Sequence, residues 1–129
     1  DDQVNMKLET VLNSELDVIF CFDSYEQVPF ELIKKNLQDN NKLKLILAYE
    51  PTWAIGTGET ASIDHIEEIH IKVKNTLSEY SLKNIPILYG GSVNPSNSNE
   101  ILSSANVDGV LVGGASTKID QLLGIVNSI

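Results

Sequence analysis

Glu50 ends an apolar run, Leu45-Ile46-Leu47-Ala48-Tyr49, and is followed at once by Pro51. Near-continuous apolar residues of this length suit a parallel strand buried on both faces. A carboxylate at the C-terminal tip of such a strand faces a cavity rather than the core, which is where a general base belongs. Beyond it, Gly56-Thr57-Gly58 offers free backbone amides in front of a helix, a ready anion site. Two more glycine loops, Gly90-Gly91-Ser92 and Gly113-Gly114, follow later apolar runs, and glycine lets a backbone approach an anion closely. The chemistry these residues could perform together is proton transfer beside a bound anion. Taken singly, each has a plainer explanation: a strand-end carboxylate paired with a lysine, or glycines that merely permit tight turns.

The elements that must position these residues alternate regularly. Val4, Leu8, Val11 and Leu12 recur at helical spacing, so the chain opens on an amphipathic helix. Residues 17–22 read as a buried strand, and Phe30, Ile33, Lys34 and Leu37 mark a short helix. Residues 38–42 form a polar loop into the strand that carries Glu50. Ser62 or Asp64 can cap the next helix, whose early carboxylates Asp64, Glu67 and Glu68 complement its dipole. Ile66, Ile69, Val73 and Leu77 form its core stripe. A third strand spans 85–89, with Pro86 tolerable near its start. A helix over about 95–103, a strand over 107–112 and a last helix over about 119–127 complete the order. Strand and helix alternation predicts a parallel sheet, in one unit covering residues 1–129 with no second domain. Periodicity alone does not separate an open doubly wound sheet from a piece of barrel.

Composition narrows the function classes. The 129 residues carry a formal charge of −9, and every basic side chain is lysine. Such a chain has no nucleic-acid footprint and cannot grip phosphate with an arginine fork, so phosphate would fall to backbone amides or lysine. Cys21 is the single cysteine, which excludes an internal disulfide and suits a reducing compartment. No apolar run reaches transmembrane length, so no membrane partner is expected. His65 and His70, with Glu67 and Glu68, lack the spacing of a metal site, and both histidines read as surface or packing residues. Cys21 reads as a buried packing residue near Glu50 rather than a nucleophile.

Three ordered blocks carry a resemblance. The stretch Tyr49-Glu50-Pro51-Thr52-Trp53-Ala54-Ile55-Gly56-Thr57-Gly58 resembles the catalytic strand and lid loop of the triosephosphate isomerase family, departing from its commonest form only at Thr52, where valine is usual. Tyr89-Gly90-Gly91-Ser92-Val93-Asn94-Pro95 and Asp108-Gly109-Val110-Leu111-Val112-Gly113-Gly114-Ala115-Ser116 match two further family blocks in the right order. The resemblance covers nearly the whole chain but only the second half of the family's (β/α)8 barrel. It therefore implies a parallel (β/α) half-barrel made of strands five to eight. A complete barrel needs about 250 residues, and the chain starts at Asp1 without a methionine, so a fragment is the expectation.

The resemblance implies an isomerase of glycolysis and gluconeogenesis, cytoplasmic and without cofactor or metal. It would interconvert dihydroxyacetone phosphate and glyceraldehyde 3-phosphate, and be a homodimer when full length. Glu50 would be the base, the role the family's glutamate takes at this position. The amides of Gly56, Ser92 and Gly114 would bind phosphate, with Gly113 lining the site. Trp53, Ala54 and Ile55 would belong to a mobile lid, Ile55 and Leu111 would clamp Glu50, and Tyr89 and Ser92 would latch the closed lid onto Ala61 and Gly58. Lys74 and Asp108 stand where the family pairs an arginine with an aspartate. The largest departure is at the end of the first strand, where Cys21-Phe22-Asp23-Ser24 replaces Cys-Ile-Gly-Glu. The family's glutamate there touches the lid tryptophan, and Ser24 is too short to do so. The electrophilic histidine and catalytic lysine belong to the half of the barrel that these residues do not match, so the segment alone is expected to be nearly inactive. A half-barrel that binds phosphate or acts as a scaffold without catalysis is the alternative.

Overall fold

A computed structural model describes residues 2–38, 45–55 and 60–129. The elements run α1 (Asp2–Leu12), β1 (Val18–Phe22), a 3-10 turn (Tyr25–Gln27), α2 (Phe30–Gln38), β2 (Leu45–Tyr49) and a second 3-10 turn (Thr52–Ala54). They continue with α3 (Ile63–Glu79), β3 (Ile87–Tyr89), α4 (Ser98–Leu102), β4 (Gly109–Val110), a third 3-10 turn (Gly114–Thr117) and α5 (Ile119–Val126). The four strands form one sheet in the order β1-β2-β3-β4, every pair parallel. This is the (β/α) half-barrel expected from the sequence.

Alternate strand residues point to opposite faces of the sheet, and the two faces differ sharply. On the helix side, Phe20, Phe22, Leu45, Leu47, Tyr49, Ile87 and Tyr89 are buried. They pack with Leu8 and Leu12 of α1, Ile33 of α2, Ile66, Val73 and Leu77 of α3, Ile101 of α4 and Ile125 of α5 in one core. On the other side the register aligns Ile19 with Ile46, and Cys21 with Ala48, Leu88 and Gly109. Ile19 is 49% exposed and Cys21 is exposed, while Ala48 between its neighbours is buried, so among the described residues nothing covers the β1 end of this inner face.

Local chemistry explains where elements start and stop. Ser62 caps α3, its hydroxyl accepting from the His65 amide at 3.3 Å. The expected stripe is buried at Ile66, Val73 and Leu77, and His70 joins it with no exposed surface. The helix expected over 95–103 is shorter, because asparagine side chains hold the preceding residues in a turn. Asn97 Oδ1 accepts from the Asn94 amide (2.8 Å) and Asn94 Oδ1 from the Ser96 amide (2.9 Å). Side chains of this kind compete with helical backbone bonds. The third strand starts at Ile87 rather than residue 85, since Pro86 has no N–H to donate. The fourth is only Gly109–Val110, yet pairing runs past both ends: the Asp108 amide donates to Ile87 O and the Leu111 amide to Tyr89 O. Most of the polar loop at 38–42 lies outside the described residues. Among the described residues, no helix is long and apolar enough to cross a membrane.

Candidate active site

The sheet ladder fixes the residue just beyond each strand. The Glu50 amide donates to Phe22 O at 2.8 Å, the Gly90 amide to Tyr49 O at 2.8 Å, and the Leu111 amide to Tyr89 O at 2.9 Å. Glu50 is thus held at the C-terminal tip of β2, half-buried, with Gly90 beside it. The carboxylate side chain lies across Gly90: a β-carbon there would sit 2.6 Å from Glu50 Cγ and 3.0 Å from Oε1. The next glycine serves a different neighbour, since a β-carbon on Gly91 would fall 2.1 Å from the Tyr89 hydroxyl. The double glycine is therefore required twice over, once by the carboxylate and once by the tyrosine.

Cys21 shares the open face with Glu50. Its thiol is pushed up to about 11, first by the protein packed around the sulfur, then by the Glu50 charge and by hydrogen bonding to that carboxylate. A thiol kept protonated is a poor nucleophile, in line with the sequence reading. The expectation that it would be buried is corrected: Cys21 is exposed, because it points to the uncovered side of the sheet.

Behind Glu50, Tyr49 is buried among rings. Its centroid lies 5.6 Å from Phe22, 6.4 Å from Tyr89 and 6.1 Å from His70. Its hydroxyl is 2.9 Å from His65 Nε2, and its pKa is pushed up to about 12 by burial, then by the Asp23 charge and by Tyr89. His65 also lies 6.1 Å from the half-exposed Trp53 ring. His70 Nδ1 donates to Asn106 O at 3.1 Å, and burial is the main cause lowering its pKa. Both histidines therefore pack as expected, although His65 also reaches towards Trp53.

The remaining expected residues are placed as follows. Ala54 and Ala61 are buried, Trp53 and Ile55 are exposed, and Leu111 is half-buried. Tyr89 does meet Ala61, whose amide donates to the tyrosine hydroxyl at 3.4 Å. Ser92 is half-buried, while Gly113 and Gly114 are exposed with open space around them. Gly56 and Gly58 lie outside the described residues. Lys74 pairs with Asp108 at 2.9 Å, and the second Asp108 oxygen accepts from the Ile87 amide at 2.8 Å, so the expected pair also ties β3 to β4.

Two features escaped the sequence reading. Asn97 Nδ2 donates to Ser92 O and to Thr60 Oγ1, both at 3.0 Å, joining the Ser92 loop to the segment that enters α3. Its signal was the pair Asn94 and Asn97 just after Gly-Gly-Ser, a turn-forming combination. The other is Asp23, whose carboxylate accepts from the Thr52 amide at 2.9 Å and from the Thr52 hydroxyl at 3.1 Å. Both residues were visible as departures, but nothing local in the sequence links positions 29 apart.

Comparison with known proteins identifies the family of the chain. The family model for triosephosphate isomerase matches residues 1–129. The triosephosphate isomerase of Flavobacterium psychrophilum is 40% identical over 145 residues, covering 100% of this chain and 58% of that protein. That of Entamoeba histolytica is 37% identical over 145 residues, covering 100% of this chain and 56% of its own length. That of Borreliella burgdorferi is 41% identical over 110 residues, covering 80% and 44%. The chain thus spans about half the length of such relatives, and with its whole length matched it belongs to the triosephosphate isomerase family.

Proposed function

We propose that this chain supplies the base and the phosphate cradle of a triosephosphate isomerase, completed by the part of the barrel its relatives carry and these residues do not match. The observation that carries the reading is the Glu50 carboxylate. It is pinned at the tip of β2, lies across a glycine that leaves it room, and sits on the sheet face where a barrel interior would be. There it would take a proton from the carbon beside the substrate carbonyl, leaving an enediolate, and return it to the neighbouring carbon. Closure of Trp53, Ala54 and Ile55 over the site would exclude water. Clamping by Ile55 and Leu111 would shield the carboxylate from water.

The amides of Gly56, Ser92 and Gly114, with Gly113 alongside, would hold the phosphate of dihydroxyacetone phosphate or glyceraldehyde 3-phosphate. The open space around Gly113 and Gly114 supports this, because an anion could approach their backbone unhindered. Tyr89 holding Ala61 supports the latch, with Ser92 holding Gly58 as its second half. Polarisation of the carbonyl would come from outside these 129 residues, so the segment alone should be nearly inactive.

The test is Glu50→Gln in the completed protein, assayed for triose phosphate interconversion. Loss of the base lowers the rate by on the order of 10²-fold or more. A rate within twofold of the parent would overturn the assignment and favour a non-catalytic phosphate-binding half-barrel.

A further inference from the structure

We infer that Asp23 is a positioning residue that fixes the turn following Glu50, a proposal that rests on Glu50 being the base. The 3-10 turn Thr52–Ala54 begins immediately after Glu50-Pro51, so its orientation sets the backbone that carries the carboxylate. A helical start needs an acceptor for its first amides, and the N-cap residue normally supplies one. Here the N-cap is Pro51, which has no side-chain acceptor and makes no cap bond.

Asp23, the residue just after β1, supplies that acceptor. One oxygen accepts from the Thr52 amide at 2.9 Å and the other from the Thr52 hydroxyl at 3.1 Å, a two-point grip of the strong, charge-assisted kind. The grip is anchored, since Asp23 directly follows β1 and its own amide donates to Gln27 Oε1 at 2.7 Å. The Glu50 amide, for its part, donates to Phe22 O. Residues 22 and 23 thus hold residues 50 and 52 in succession, so the carboxylate is fastened on either side of Pro51. Within the turn the Ala54 amide donates to Pro51 O and the Ile55 amide to Thr52 O, so the grip reaches Trp53 and Ala54 as one unit. Two of the positions at which the sequence departs from the family pattern here, Asp23 and Thr52, are partners of each other.

The clamp acts on the geometry of Glu50, and its removal falls on kcat rather than on substrate binding. The experiment uses the protein completed with the N-terminal portion its relatives carry. Asp23→Ala should lower kcat by about tenfold, leave KM within about twofold, and speed hydrogen exchange at the Thr52 amide by at least about tenfold, less than the loss for a fully mispositioned group. Asp23→Asn keeps an acceptor for the amide and offers a donor to the Thr52 hydroxyl, so it should restore both readouts to within about twofold. Thr52→Val, which loses only the hydroxyl bond, should fall between. Unchanged kcat and unchanged Thr52 exchange in Asp23→Ala would overturn the proposal, as would an Asn variant as impaired as the Ala variant. Glu50→Gln, run alongside, separates the two ideas. Full activity there removes the isomerase reading and this proposal with it, whereas loss of rate in Glu50→Gln with none in Asp23→Ala removes only the clamp.

Discussion

Adding a single methyl group at Gly90 tests the seating of Glu50 without changing the glutamate itself. In Gly90→Ala the new β-carbon would lie 2.6 Å from Glu50 Cγ, 3.0 Å from Oε1 and 3.3 Å from Cδ. Ordinary contact is 3.4–4 Å, so the side chain must retreat by about 1 Å. Backbone movement offers little relief, because the Glu50 and Gly90 amides are both held by ladder bonds at 2.8 Å. A reacting group displaced by about 1 Å loses on the order of 10² in rate, equivalent to about 2.7 kcal/mol of transition-state stabilisation. The assay is kcat/KM for triose phosphate interconversion in the completed protein, with Gly109→Ala as control. That control meets only a terminal Leu88 methyl at 3.0 Å, which can rotate away. If Gly90→Ala keeps its rate within about threefold, the carboxylate does not act from where the structure seats it.

Two further outcomes are expected. Burial lowers the pKa of His70 below its ordinary 6.5, with Lys74 acting in the same direction and Asn106, Asp108 and Glu67 opposing it. As pH falls through 6.5 the unfolded chain takes up a proton that the folded chain refuses, so His70 makes stability fall with acidification. Urea midpoints measured from pH 7.5 to 5 should therefore drop less steeply in His70→Phe, and identical slopes would contradict the linkage. The bare inner face leads to the second outcome, since Ile19 is exposed there and β1 and β4 are sheet edges, features that invite pairing. The 129-residue chain alone should self-associate at micromolar concentration in sedimentation runs; a well-folded monomer would count against this.

The alternation of strands and helices was legible because each element carries its own period: Ile66, Val73 and Leu77 sit where a helical stripe puts them, and Leu45 to Tyr49 reads as a strand by itself. Glu50 was legible from its place at a strand end, and the Lys74–Asp108 pair from the family pattern. What stayed hidden depends on which face of the sheet is covered. Cys21 and Phe22 look equally buriable in sequence, yet one points to the core and the other to an uncovered side. Helix α4 was overextended because Pro95 suits a helix start, whereas Asn94 and Asn97 turn the chain first. The Asp23–Thr52 grip was hidden for a third reason, since it depends on β1 lying beside β2.

The raised thiol pKa of Cys21 makes the sequence's one cysteine a chemical reporter on its neighbour. Alkylation needs the thiolate, and a pKa moved from 9.0 to about 11 leaves roughly a hundredth as much of it at pH 8. Part of that suppression comes from the Glu50 charge. The rate at which an alkylating reagent consumes Cys21 should therefore rise in Glu50→Gln, which removes that charge, with no substrate and no turnover required.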